Sequence, residues 1–511
     1  MHTTTEGQAH SRSEPARPVG IHPRGSPPRQ LLPSLVALIL IIAPMLACAR
    51  TRPASTATTL PAASVTAVTV SEPRSWPTPT PAPHVHIIEA GETLDYIAAS
   101  LGCTTGEIMS ANSLDDAHTL QIGQRLIIPS MTLPSGPESL LLPDSEFVYG
   151  PAYLDFDVAG FSATRSGYLN SYEELVEGET LSGPEIVELI ARRYSVGPRL
   201  LLAMIEFKSG WVDNPAPGGL ALGHPLGQTE AVQDTLLYHL AWAADELNWG
   251  YYDWKGRGRE VIRLADGKEA QYAPGLNAAT AAVQNFLARD ATWDEWQTLC
   301  GGGPDSFIAT YRQLFGDPFA RSLDPVVPPD LDLLELRLPW QSGHTWYLTG
   351  GPHGGWNDGS AWAALDFVPP GRVGCQTSPE WVVAAASGVV VHRETGMIVQ
   401  DLDGDGHEKT GWNLMYMHVA TEGPLPVGTQ LEEGQRLGNA SCEGGYSTAS
   451  HLHFARKYNG EWIPADGTHP MILSGWRAHA IDAYEGTMTK GGEVRRDCEC
   501  YEDDYNGLTA E

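Results

Sequence analysis

The chain has 511 residues, enough for several domains with their own cores. Lys and Arg number 32 against 62 Asp and Glu, a formal charge of −30 at pH 7. A surface of that sign repels polyanions, which excludes nucleic acid as a partner. Its 39 Pro and 54 Gly concentrate in linkers and turns, so the chain as a whole does not read as disordered.

Residues 1–48 read as an export signal. Arg12, Arg17, Arg24 and Arg29 precede an apolar run from Leu31 to Ala47, which closes on Met45-Leu46-Ala47-Cys48. Pro33 and Pro44 interrupt the run, and it is short for a membrane span. The closing tetrapeptide resembles a bacterial lipobox, in which the Cys carries lipid, although Met45 stands where Leu is usual. Two readings stay open: lipid attachment at Cys48, and an uncleaved signal anchor. Both place the rest of the chain outside the cytoplasm, in the cell envelope or secreted, with a membrane anchor as one outcome. Of 7 Cys, those after Cys48 are even in number and open to disulfide pairing. None forms a CxxC pair, which argues against a cysteine metal site.

Residues 49–85 are rich in Thr, Ala, Ser and Pro, a composition that cannot bury a core and favours an extended spacer. Residues 86–129 form a compact unit. His86-Ile87-Ile88 predicts a strand, and Leu94, Ile97, Ala98 and Leu101 recur at helical spacing. Thr104 and Glu107 match a capping box, and Arg125 to Ile128 predicts a final strand. The order is βααβ. Ala90-Gly91-Glu92-Thr93-Leu94, Ala111-Asn112 and Ile122-Gly123-Gln124-Arg125-Leu126 resemble the LysM family. That resemblance implies binding of N-acetylglucosamine-containing glycans, chiefly peptidoglycan. Residues 130–145 read as a linker.

Residues 146–322 are expected to be mainly helical. Ser182 and Glu185 match a capping box, and Leu200 to Ile205 is apolar on every face, which predicts a buried central helix. The stretch Tyr194 to Ile205 resembles the lysozyme-like transglycosylases. That family follows with Glu-Ser-Gly and an aromatic residue, its Glu being the catalytic acid; here the residues are Lys208-Ser209-Gly210-Trp211. A lysine ammonium has the wrong pKa to protonate a glycosidic oxygen near neutral pH. Glu206 sits two residues earlier, roughly 200° around the helix from position 208. The domain therefore reads as a lysozyme-like helical domain that is non-catalytic. Trp242, Trp249, Tyr251, Tyr252 and Trp254 read as core more readily than as sugar platforms. Residues 323–335 form a Pro-rich linker.

From residue 336 to 470 short apolar and β-branched runs broken by turns predict an antiparallel all-β domain. Side chains two apart on a strand share a face, so His451 and His453 point one way and Leu452 and Phe454 the other. His353 follows Gly350-Gly351-Pro352, which reads as a turn. Asp366 lies between Leu365 and Phe367, a frame that buries its carboxylate and calls for a cationic partner. His418 follows Met415-Tyr416-Met417 on another strand. Neutral imidazole and carboxylate are zinc ligands, and a catalytic site leaves one position for water. Asp401-Leu402-Asp403-Gly404-Asp405-Gly406 resembles the start of a calcium loop, but Trp412 stands where that loop needs Glu, so an acidic turn is expected.

These motifs, in this order, resemble the lysostaphin-type zinc endopeptidases and most of all their β-lytic branch. Many relatives place the first His close before the Asp; the β-lytic branch carries an insertion there, as between His353 and Asp366. Cys442-Glu443-Gly444-Gly445, Ser447-Thr448, His451-Leu452-His453-Phe454 and Tyr458-Asn459-Gly460 also look β-lytic. The resemblance implies that His353, Asp366 and His453 hold Zn2+ and that His418 and His451 are the catalytic histidines. Tyr416 lies near a family tyrosine. The branch also has a disulfide to the Cys of its Cys-Glu-Gly-Gly motif; its usual partner is missing here, which leaves Cys375 or another Cys for Cys442. The expected activity is hydrolysis of amides in peptidoglycan stems or cross-bridges. The alternative is a catalytically silent, wall-binding regulator of other hydrolases. Residues 471–511 read as an extension with no assigned role.

Overall fold

The structure is a computed structural model. It describes His84 to Glu511, apart from residues 89–91, 102, 122, 130–132, 230–233, 259, 372–373 and 421–424. The export signal, Cys48 and nearly all of the 49–85 spacer lie outside the described residues. Among the described residues no helix is long and apolar enough to cross a membrane.

The N-terminal unit is βααβ. His84–Ile87 pairs antiparallel with Arg125–Ile128, and helices Leu94–Ser100 and Thr105–Asn112 complete it. The Thr104–Glu107 capping box is formed in full, satisfying two amides that the second helix would otherwise leave bare. Leu94, Ile97, Leu101, Ile108 and Leu126 make its small core.

The helical domain is built on Gly183–Tyr194, Pro198–Ser209, Leu236–Tyr252 and Ala278–Ala288. Leu200 to Ile205 is buried all round, as its unbroken apolar run predicts. Tyr251 and Tyr252 are core residues. The described residues 133–145 and the stretch 323–335, expected as linkers, contribute to the packed core. Leu141 and Leu142 are fully buried in the helical core. Val326 is buried too, and its carbonyl accepts a hydrogen bond from Asn459. Apolar side chains in otherwise polar stretches are what draw these segments in.

The β domain centres on a nine-stranded sheet. Its antiparallel path runs Gln430–Leu431, Gly388–Glu394, Met397–Asp401, Trp412–Met417, Leu452–Tyr458, Ala364–Val368, Thr345–His353 and Gly507–Thr509. Residues 471–511 are thus not an extension. Gly507–Thr509 closes one edge of this sheet, while Ile472–Leu473, Trp476–Asp482, Glu485–Lys490 and Glu493–Arg496 make a second sheet with Glu335–Leu336. Leu508 and Met488 are fully buried, so this segment supplies core that the domain needs.

The two faces of the large sheet are covered differently. Leu365, Phe367, Ile398, Leu414, Tyr416, Leu452 and Phe454 pack into the β domain's own core. Ala364, Met397, Val399, Met415, Met417 and Ala455 pack into the core of the helical domain. Strand alternation therefore puts the helical domain on the face that also carries the side chains of Asp366 and His453. Arg192–Glu408 at 2.7 Å, Arg193–Glu394 at 2.7 Å and Lys255–Glu461 at 2.6 Å rim this contact.

Candidate active site

Cross-strand register assembles the site. His453 stands directly opposite Asp366, and Met417 directly opposite His453. Asp366 in turn faces Gly350, near the end of the His353 strand. The turn expected at 350–352 is instead the bulged end of Thr345–His353, with register shifts on both sides of Gly350. Gly351 allows this because the backbone of Glu485 and Gly486 lies against it, leaving no room for a Cβ.

His353 Nε2, Asp366 Oδ1 and His453 Nδ1 converge. The separations are 3.0 Å between the two nitrogens, 3.3 Å from His353 to Asp366 and 3.1 Å from His453 to Asp366. Zinc bonds of about 2.0–2.1 Å in a tetrahedron put ligand atoms about 3.3 Å apart. The three donors match that spacing, so the residues present fit such an ion.

The tautomers agree. His353 Nδ1 donates to the Gly351 carbonyl at 2.8 Å, which leaves Nε2 with its lone pair turned to the cluster. His453 does the reverse, donating from Nε2 to the Gly355 carbonyl at 3.1 Å and freeing Nδ1. Burial disfavours charge on His353, but Asp366 outweighs it and holds the imidazole above its usual pKa. Burial would likewise raise Asp366, yet His353, His453 and His451 keep the carboxyl well below its usual range. His453 is pushed down by burial.

His418 and His451 lie alongside, their ring centroids 4.4 Å apart. Neither is inside a strand. His418 follows Trp412–Met417 with φ of 63°, and His451 precedes Leu452–Tyr458, bridging to Ser441. His418 Nδ1 donates to the Glu443 carbonyl at 3.0 Å, and His451 Nδ1 to the Ala449 carbonyl at 2.8 Å. Each thus presents an unprotonated Nε2; that of His451 is 3.8 Å from Asp366. Burial, then His451 and His453, lower the His418 pKa to about 3, so this imidazole is neutral at any physiological pH.

Tyr416 is not at the site. It lies on the opposite sheet face, where its hydroxyl accepts from the Ala385 amide at 2.8 Å and donates to Gln400 at 2.8 Å. Cys442 is bridged to Cys375. Cys498 is bridged to Cys500, while Cys103 and Cys300 are unbridged. The 401–406 segment is an acidic turn: Asp401, Asp403 and Asp405 each accept a backbone amide two residues on.

Sequence reasoning missed two features. The Tyr484 ring stacks on His353, centroids 4.1 Å apart and 17° from parallel, from a hairpin whose backbone bonds to Gly351 and Pro352. Nothing local marks Tyr484; it arrives by long-range pairing. The second feature is the grip of the helical domain on the 354–363 loop. Asp245 accepts from the Gly359 amide at 2.9 Å, Arg257 donates to the Ser360 carbonyl at 3.1 Å, and Arg193 lies over Trp356. A cavity of about 950 Å³ opens at this seam, lined by Tyr252, Lys255, Pro352, Trp362 and Trp462; none of the five clustered residues lines it.

A family model described as "LysM domain" matches residues 86–129, and one described as "LasA, N-terminal domain" matches residues 140–327. That second model covers the helical domain, where the sequence pattern suggested a lysozyme-like fold. Protease LasA of Pseudomonas aeruginosa is 28% identical over 390 residues, which is 70% of this chain and 82% of that one. The β-lytic metalloendopeptidase of Lysobacter enzymogenes is 28% identical over 166 residues, 31% of this chain and 90% of its own. The solved structure of the M23 metalloprotease pseudoalterin is 26% identical over 35% of this chain and 99% of its own, with a TM-score of 0.28. The chain is thus similar to Protease LasA over most of its length and to the β-lytic metalloendopeptidases over its β domain, and it carries a segment that matches the LysM model.

Proposed function

We propose that this protein is an extracytoplasmic zinc endopeptidase that hydrolyses amide bonds in the peptide stems or cross-bridges of peptidoglycan. The observation that carries the reading is the cluster of His353, Asp366 and His453. Three donors at tetrahedral spacing, each imidazole fixed by a backbone carbonyl, stand beside two further imidazoles with free Nε2 atoms. A bound zinc would polarise the scissile carbonyl and bring the pKa of its water to about 7. His353, Asp366 and His453 hold the ion. His451, whose Nε2 lies 3.8 Å from Asp366, is the better placed of the two histidines to accept and return the proton, and His418 stands beside it against the reacting groups. The LysM unit binds N-acetylglucosamine-containing glycan and raises the local concentration of wall peptide. Lipid at Cys48 or a signal anchor would keep the chain at the envelope.

The helical domain does not cut glycan in this reading. Glu206 is occupied by the amides of Val212 and Asp213, both at 3.0 Å, and Lys208 pairs with Asp290 at 3.0 Å. A lysozyme-like ancestry for residues 194–211 remains part of the proposal.

The test is release of free amino groups from purified peptidoglycan by the full chain. Release that stops with a chelator, returns with zinc and is absent in His353→Ala is the expected result. A zinc-loaded chain that binds the wall but frees no amino groups is a regulator instead. New reducing ends would overturn the silent reading of the helical domain.

A further inference from the structure

Away from the clustered histidines, the helical domain holds a buried imidazole with no conventional partner. His239 lies in the first turn of the Leu236–Tyr252 helix and is 0% exposed. Among the described residues, neither Nδ1 nor Nε2 of His239 has a hydrogen-bond partner, although the Gly223 backbone bears weakly on the ring. A neutral imidazole carries one N–H and one lone pair, and burying both bare is costly. The adjacent group is a second such case. His224, which caps the Leu220–Gly223 turn of helix, has its Nδ1 buried and unpartnered as well. The two rings stand edge to face, 5.7 Å between centroids.

A carboxylate completes the set. Asp234 Oδ1 is 3.7 Å from His224 Nδ1, and one donor atom from each of His224, Asp234 and His239 fits within 4.8 Å. Two imidazoles and a carboxylate are the donor set of the His353, Asp366 and His453 cluster over again. The pairs differ in tightness: here the donors would have to draw in by up to about 1.5 Å to reach tetrahedral spacing. Asp234 can supply its share of that movement, since its side chain is 64% exposed, and a rotation of the half-buried His224 ring supplies the rest. We propose that His224, Asp234 and His239 form a second divalent-metal site, one that takes zinc and ties His224 and Asp234 to the Leu236–Tyr252 helix. The exposed side of Asp234 leaves the fourth position to water. Borderline ligands of this type suit zinc and exclude calcium and magnesium, which need oxygen donors. Its role is structural, because an ion shared by His224 and His239 joins the end of the Leu220–Gly223 turn to the Leu236–Tyr252 helix and steadies the folded chain.

The experiment counts metal in the full chain. Protein is stripped with chelator, reloaded with zinc, desalted and analysed for zinc per chain, in the wild type and in His224→Gln and Asp234→Asn. Asp234 is exposed and His224 only half-buried, and circular dichroism checks that the variants fold. The same substitutions are made in a His353→Ala background. We expect two zinc per chain in the wild type, and a loss of one from either substitution in both backgrounds. In the His353→Ala background zinc should also raise Tm, and His224→Gln should remove that rise. A count and a Tm response unaffected by His224→Gln and Asp234→Asn overturn the proposal. If instead the reading of the first cluster is the one that fails, the wild type holds one zinc and His224→Gln none.

Discussion

The carbonyl of Gly355 accepts the Nε2 proton of His453 at 3.1 Å, and Gly355 belongs to a loop that the helical domain holds. Its Cα packs against the Trp462 ring, whose backbone amide donates to the Tyr252 hydroxyl at 3.1 Å. The orientation of one imidazole in the His353, Asp366 and His453 cluster therefore depends on a contact between domains.

That dependence makes Gly359 a sensitive position. A Cβ there would meet the Asp245 carbonyl oxygen at 2.2 Å, so Gly359→Ala must push the loop off the helical domain. Zinc affinity should fall by about 10–100-fold, the range for loss of an orienting partner. Competition with a chromogenic chelator measures it, and an unchanged affinity would show that the loop holds its shape alone.

The same contact should respond to pH. Burial raises the Asp245 carboxyl to about 6, against the Gly359 amide, which favours the ionised form. A carboxyl whose folded pKa exceeds its unfolded 3.8 stabilises the protein fully below that value, and the contribution is lost as pH rises through about 6. Thermal unfolding of the wild type against Asp245→Asn between pH 4 and 7 should show this component in the wild type alone.

Metal content should separate the proposed ligands from the proposed proton carriers. His453→Ala should lose both zinc and activity. His451→Ala should keep its zinc while kcat falls by about 10²–10⁴-fold, the usual worth of a positioned acid or base. Loss of zinc in His451→Ala would move that residue into the ligand set.

Tyr416→Phe should leave kcat and KM unchanged, because the hydroxyl lies on the sheet face away from the cluster. It should cost about 1–3 kcal/mol of stability, since the Ala385 amide loses its acceptor in a fully buried place. Chemical denaturation together with kinetics distinguishes this from a catalytic role.

Reducing the Cys375–Cys442 bridge should lower activity without releasing zinc. The bridge anchors the segment whose Glu443 carbonyl orients His418, and it spans 67 residues. A loss of about 2–4 kcal/mol in stability is expected for such a bridge. Metal analysis before and after reductant, beside an activity assay, checks both halves.

Much of the site was legible because its chemistry is local in sequence. His451 and His453 are two apart, and Asp366 sits between two apolar residues, so residue types and strand period suffice to mark them. Register is another matter: that His453 faces Asp366 depends on strands 87 residues apart, which no periodicity reports. The docking face left one readable sign. Met415-Tyr416-Met417 is apolar at every position, the mark of a strand covered on both sides, whereas a solvated face alternates. Tyr484 and the 471–511 strands carried no such sign, because hairpins of mixed polarity look like any surface segment until their partners are known.

The pairing of Leu508 with Trp346 has a consequence for biosynthesis. Residues 507–509 form the edge strand against Thr345–His353, and Leu508 and Ala510 are sealed in the β-domain core. During translation, the strand bearing His353 stays unpaired on that side until codon 509 has been read and its residue has left the ribosome. A β domain arranged this way cannot form in halves: a chain that lacks residues 507–509 leaves the strand bearing His353 with an open edge.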